Sequence, residues 1–154
     1  MTGAGPLVGR LRDRGETVAT AESLTAGLVC ATLTEVPGSS AVVRGGLIVY
    51  ATELKAVLAG VDRGLLAEHG AVHPEVAAQL AEGARDRCGA DWGLGLTGVA
   101  GPEPQDGVAP GTVHIGVAGP GRRDVRTHWF EGDRASVRTK SVLAALRLLT
   151  EQLT

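Results

Sequence analysis

The chain has 154 residues, enough for one domain with a sizeable core. Aromatics are only 3% against a total hydrophobic content of 44%, so the interior must be packed from Val, Leu, Ile and Ala. A formal net charge of -2 gives no electrostatic ground for nucleic acid or an anionic membrane as the main partner, although locally placed arginines can still hold a small phosphorylated ligand.

Taken in chain order, Leu7 to Arg14 reads as a short helix closed by Gly15. Thr17 to Thr20 is a short strand, and an apolar periodic run from Leu24 to Leu33 reads as a helix directly after Glu22 and Ser23. Turn chemistry makes Val36 to Ser40 a loop, and Gly46 to Tyr50 suits a buried strand. Helices are expected over Glu53 to Ala59 and Arg63 to His69. A longer one runs from Pro74 to Cys88, with proline in its first turn and Val76, Leu80 and Ala84 at helical spacing. Trp92 to Leu96 is a buried strand, followed by a fifteen-residue Gly- and Pro-rich stretch from Thr97 to Gly111. A loop of that length in a compact domain is often functional. Thr112 to Ala118 and Arg123 to Phe130 form an expected antiparallel hairpin, and a helix from Arg134 to Leu153 closes the chain. Strands interleaved with helices predict a three-layer α/β/α domain around a mixed sheet. No repeat or linker divides residues 1–154, so a single domain is expected.

Cys30 and Cys88 lie far apart in helical segments and suggest neither a zinc site nor a redox motif; small buried apolar roles are expected. No apolar run approaches the roughly 20 residues that span a bilayer. The amino-terminal segment lacks the plan of a signal peptide, which makes the cytoplasm the expected location.

Four constellations bear on chemistry. Ser23 stands where a strand turns into a helix, a place that suits a nucleophile because backbone N–H groups can stabilise a developing oxyanion; on the residues alone a helix cap is the more usual reading. A serine needs a base, and none of His69, His73, His114 and His128 sits in a familiar triad pattern. Lys55 can serve if burial lowers its pKa, the alternative being a solvated lysine. Tyr50, the single tyrosine, is either a polar partner or a packed residue with a tethered hydroxyl. The run Thr97-Gly98-Val99-Ala100-Gly101-Pro102 follows a strand, where α/β proteins commonly bind ligands, yet matches no nucleotide-triphosphate or dinucleotide motif. Arg134 and Arg138 would share one helical face and either clamp a phosphate or form a solvated surface. No metal-ligand cluster is present, so neither a metal nor a cofactor is implied.

The order of these motifs is more specific than any one of them. Ala21-Glu22-Ser23-Leu24-Thr25-Ala26-Gly27, Pro37-Gly38-Ser39-Ser40, Tyr50-Ala51-Thr52-Glu53-Leu54-Lys55, His69-Gly70-Ala71-Val72, Thr97 to Pro102, Gly111-Thr112-Val113 and Gly132-Asp133-Arg134 together resemble the CinA C-terminal-domain family. Stand-alone members of that family are nicotinamide-nucleotide amidohydrolases, which convert nicotinamide mononucleotide and water into nicotinate mononucleotide and ammonia. The resemblance implies Ser23 as nucleophile, Lys55 as its base and Tyr50 as a polar partner. It further implies a nucleotide site lined by Thr25, Gly27, Thr97, Gly98, Ala100 and Gly101, with Arg134 or Arg138 meeting the phosphate. It also implies a homodimer acting on a small-molecule nucleotide.

The chain departs from the family pattern in places. Leu24-Thr25-Ala26-Gly27 replaces Cys-Thr-Gly-Gly, Ala51-Thr52 replaces Ser-Asn, and His73 stands for a serine. The loop after Pro102, which normally carries a Gly-Gly pair, reads Glu103-Pro104-Gln105-Asp106-Gly107-Val108-Ala109-Pro110. Two other readings therefore stay open: a non-catalytic nucleotide-binding or interaction domain of the same fold, and an amidase for another small amide.

Overall fold

The computed structural model describes residues 3–154. Helix α1 covers Ala4–Arg14, β1 Val18–Glu22, α2 Leu28–Thr34, β2 Val43–Ile48, α3 Thr52–Ala59, α4 Arg63–His69 and α5 Pro74–Cys88. Strands β3, β4 and β5 cover Trp92–Gly98, Thr112–Gly119 and Arg122–Trp129, and α6 covers Arg134–Gln152. The five strands form one mixed sheet in the order β2-β1-β3-β4-β5. β1 runs parallel to both neighbours, whereas β3–β4 and β4–β5 are antiparallel. Helices α1, α2 and α6 cover one face and α3 to α5 the other, which gives the expected three layers.

Alternation along β1 decides where its chemistry goes. Val18 joins the core under α1, α2 and α6, while Ala19 and Ala21 join the core under α5. Continuing that alternation turns Glu22 toward α2 and Ser23 toward the α3 side of the sheet. The Ser23 N–H donates to the Leu96 carbonyl at 3.0 Å, which extends the β1–β3 ladder one residue past the strand.

The α5 layer lies unusually close to the sheet. A Cβ on Gly95 would fall 2.4 Å from the Ala77 carbonyl oxygen, and one on Gly93 would fall 2.0 Å from that of Ala81. Glycine alternating with Leu94 and Leu96 thus gives β3 one bare face for α5 and one apolar face for α6.

Several boundaries differ from the sequence expectation: α1 starts at Ala4 rather than Leu7, β1 ends at Glu22 rather than Thr20, β3 ends at Gly98 rather than Leu96, and α2 and β2 are shifted as well. Helix α2 begins at Leu28 rather than Leu24, because Ala26 and Gly27 adopt left-handed backbone, with φ of 47° and 100°, and interrupt the helical path. Strand β2 starts at Val43 and ends at Ile48 rather than running from Gly46 to Tyr50. Pairing with β1 sets its register, and Tyr50 lies beyond the ladder. Within the long loop after β3, Gln105 and Val108 pair around a two-residue turn at Asp106-Gly107, both with positive φ. Among the described residues no helix is long and apolar enough to cross a membrane.

Candidate active site

Ser23 and Lys55 meet. The Lys55 side chain is 1% exposed, and its Nζ lies 2.9 Å from Ser23 Oγ, 2.8 Å from the Val49 carbonyl and 3.2 Å from the Tyr50 carbonyl. Helix α3 starts immediately after Tyr50, so its first turn carries Lys55 back across the end of β2 toward the Ser23 side of the sheet. Burial lowers the lysine pKa from 10.5 to about 8, which makes the neutral amine accessible near physiological pH. The neutral amine has two N–H donors and one lone pair. Carbonyl oxygens only accept, so Val49 and Tyr50 take both N–H groups and the lone pair is left for the Ser23 hydroxyl.

Ser23 is 7% exposed and opens onto a cleft of about 490 Å³. The cleft lies at the carboxyl ends of the parallel strands β1 and β3, the position α/β sheets commonly use for ligands. Its walls are Ser23 and Leu24 from the β1 turn, Tyr50 to Thr52 from the start of α3, Gly98 to Gln105 from the loop after β3, and Arg134 from α6.

Glu22 holds the floor of this arrangement. Its carboxylate is 1% exposed and accepts from the N–H groups of Gly27 at 3.2 Å, Val29 at 2.9 Å and Cys30 at 3.0 Å, and from the Thr20 hydroxyl at 2.8 Å. Those amides belong to the residue that caps α2 and to its first turn, so its positive end is already engaged by a buried anion. The Gly27, Val29 and Cys30 amides are therefore not free for a ligand in the cleft. The N–H groups of Leu24, Ala100 and Gly101, all on the cleft wall, have no acceptor among the described residues. Glu22 was not singled out from sequence; an acidic residue ending an apolar strand just before a turn is the signal that marks it.

A model of the CinA C-terminal domain matches residues 3–153. The chain belongs to this family. It is 50% identical over 149 residues to a CinA-like protein of Frankia casuarinae, an alignment covering 97% of this chain and 34% of that protein. A CinA-like protein of Anaeromyxobacter sp. is 48% identical over 144 residues, covering 93% of this chain and 35% of the relative. The chain thus spans about one third of the length of these curated relatives. Among solved structures, the competence/damage inducible protein CihA from Agrobacterium tumefaciens is similar with a TM-score of 0.94 and 32% identity, covering 98% of this chain and 93% of that one. The competence or damage-inducible protein from Enterobacter asburiae gives 0.92 at 32% identity, covering 98% of both chains.

Within this family frame the sequence-assigned residues divide. Ser23, Tyr50, Gly98, Ala100, Gly101 and Arg134 line the cleft, with Lys55 directly behind Ser23. Tyr50 differs from the buried strand residue expected. Its side chain is 59% exposed, its backbone carbonyl meets Lys55, and its hydroxyl accepts from Arg134 at 2.9 Å. Thr25, Gly27, Thr97 and Arg138 do not line the cleft. Thr25 is fully buried, the Gly27 N–H is held by Glu22, and the Thr97 hydroxyl donates to the Ala71 carbonyl at 2.7 Å on the α5 face. Arg138 donates to the carbonyls of Leu24 at 2.9 Å and Thr25 at 3.4 Å, so it braces the turn that carries Ser23. Arg134 donates to the Gly101 carbonyl at 2.8 Å as well as to Tyr50 and joins two walls of the cleft. No group of three or more His, Cys, Asp or Glu among the described residues is placed to hold a metal.

Proposed function

We propose that this chain hydrolyses the carboxamide of nicotinamide mononucleotide, releasing nicotinate mononucleotide and ammonia through a serine nucleophile and a lysine base. The observation that carries the reading is the buried Lys55 amine 2.9 Å from the Ser23 hydroxyl, with both of its N–H groups matched by carbonyls. Neutral Lys55 takes the Ser23 proton as the oxygen attacks the amide carbon. The resulting oxyanion is held by the unpaired N–H groups at the cleft wall, of which Leu24, next to the nucleophile, and Ala100 or Gly101 are assigned here. Lys55 then returns the proton to the departing nitrogen, and ammonia leaves an ester on Ser23. Water, deprotonated by the same amine, cleaves that ester and restores the serine.

The phosphate is assigned to Arg134, the only cation on the cleft wall among the described residues. Both guanidinium groups were candidates on sequence grounds; each already donates to two acceptors, and only Arg134 lies on the cleft wall. The deciding experiment measures ammonia release from nicotinamide mononucleotide by wild type and Ser23→Ala. Loss of the nucleophile is expected to lower kcat by roughly 10⁴ or more, by analogy with serine hydrolases. Undiminished release from a folded Ser23→Ala protein would overturn the proposal.

A further inference from the structure

Resting on that reading, we propose that Glu103 is a specificity-determining residue, its carboxylate selecting an amide carried on a positively charged ring. Two charged residues line the cleft among the described residues, Arg134 and the exposed Glu103 on its rim. They are not paired with each other. Arg134 is committed to the Gly101 carbonyl and the Tyr50 hydroxyl, and among the described residues the Glu103 carboxylate has neither an ion pair nor a hydrogen bond. An unpaired anion and an anchored cation on one wall match a ligand that itself bears both signs.

Local geometry holds Glu103 in place. Pro102 and Pro104 flank it, and the residue before a proline is restricted to extended backbone. One residue further on, Gln105 is tied to Val108 by two backbone hydrogen bonds of 3.1 and 2.8 Å. On the other side Gly101 is fastened to Arg134. The backbone that carries Glu103 is therefore a stiff rim, fastened at both ends, and the exposed carboxylate stands on it. An N-substituted pyridinium carboxamide with a phosphate carries a ring cation and an anionic tail, and the two cleft charges correspond to those two groups. A neutral ring of the same shape would keep the phosphate contact and lose the contact with Glu103.

Binding separates this inference from catalysis. Calorimetry on Ser23→Ala, which keeps the cleft without turnover, compares nicotinamide mononucleotide with its reduced, uncharged-ring form. Tighter binding of the oxidised form is expected. Adding Glu103→Gln should lower that preference roughly two- to fivefold, the range for an exposed charge pair. Glu103→Lys should lower it at least as far, and added salt should narrow the wild-type preference. A preference that neither variant moves, or no binding of either form, would overturn the role of Glu103. Ammonia release by the protein with Ser23 intact is a separate readout, so an inactive protein whose ring preference still depends on Glu103 would sink the amidase reading alone.

Discussion

Glu22 and Val29 are joined by a 2.9 Å hydrogen bond that ties the last residue of β1 to the first turn of α2. It is one of four bonds accepted by a single buried carboxylate, and two of them fall on each oxygen. In Glu22→Gln one oxygen becomes an NH₂ group that cannot accept, leaving buried donors facing a donor. A loss of about 1–3 kcal/mol of unfolding free energy is expected, read from the urea midpoint. Ammonia release should fall as well, since the turn bearing Ser23 is built on this anchor. An unchanged midpoint would show that the carboxylate does not hold α2.

Lys55 makes the activity depend on pH in a defined direction. If the neutral amine is the base, the rate rises with pH and levels off above about 8. At pH 7 about one molecule in ten carries the active form, which follows from a pKa of about 8. A rate profile flat between pH 6 and 9 would contradict the role of Lys55.

The same group links pH to stability. The folded chain binds the Lys55 proton less tightly than the unfolded chain, whose pKa is 10.5. Below about 8 the buried charge therefore lowers stability, by about 3 kcal/mol, and this penalty is lifted as pH rises from about 8 to 10.5. Urea unfolding across that window should show the wild type gaining stability relative to Lys55→Met. Parallel curves for the two proteins would argue against a depressed lysine pKa.

Arg134 and Arg138 lie one helical turn apart but should respond differently to substitution. Arg134→Ala removes a charge from the cleft and is expected to lower kcat/KM for the mononucleotide about ten- to hundredfold, with little change for free nicotinamide, which has no phosphate. Arg138→Ala withdraws a donor from the Leu24 and Thr25 carbonyls, so stability and the turnover of both substrates should fall together. Identical substrate selectivity in the two variants would reject the assignment of the phosphate to Arg134.

Gly95 tests the packing beneath the site. A methyl group there would sit 2.4 Å from the Ala77 carbonyl and 2.5 Å from the Ala81 nitrogen, both backbone atoms of α5. Gly95→Ala is expected to destabilise the fold by about 1–3 kcal/mol, measured by denaturant unfolding. The exposed turn glycine Gly107, with open space around it, is a poor comparison because its φ is +76°; Gly9, also in open space and helical, is the better control.

The sequence by itself determined the layers and the residue types available to the site. Apolar runs, the helix stop at Gly15, the spacing of Val76, Leu80 and Ala84, and the helix read from Arg134 to Leu153 are local properties, and they appear in the structure nearly as read. The residue types around Ser23, Tyr50 and Lys55 were likewise legible, because the order of short motifs survives translation into one dimension. Only the tertiary structure decided which of them touch. A Ser23–Lys55 contact across 32 positions depends on β1 pairing beside β2 and on α3 folding back over the sheet, and both are long-range packing outcomes. The same holds for Glu22, whose four donors come from both strand and helix, and for the separation of Arg134, which faces the cleft, from Arg138, which braces the turn. Helical spacing places two arginines on one face; what each then meets is set by the neighbouring elements that pack against it.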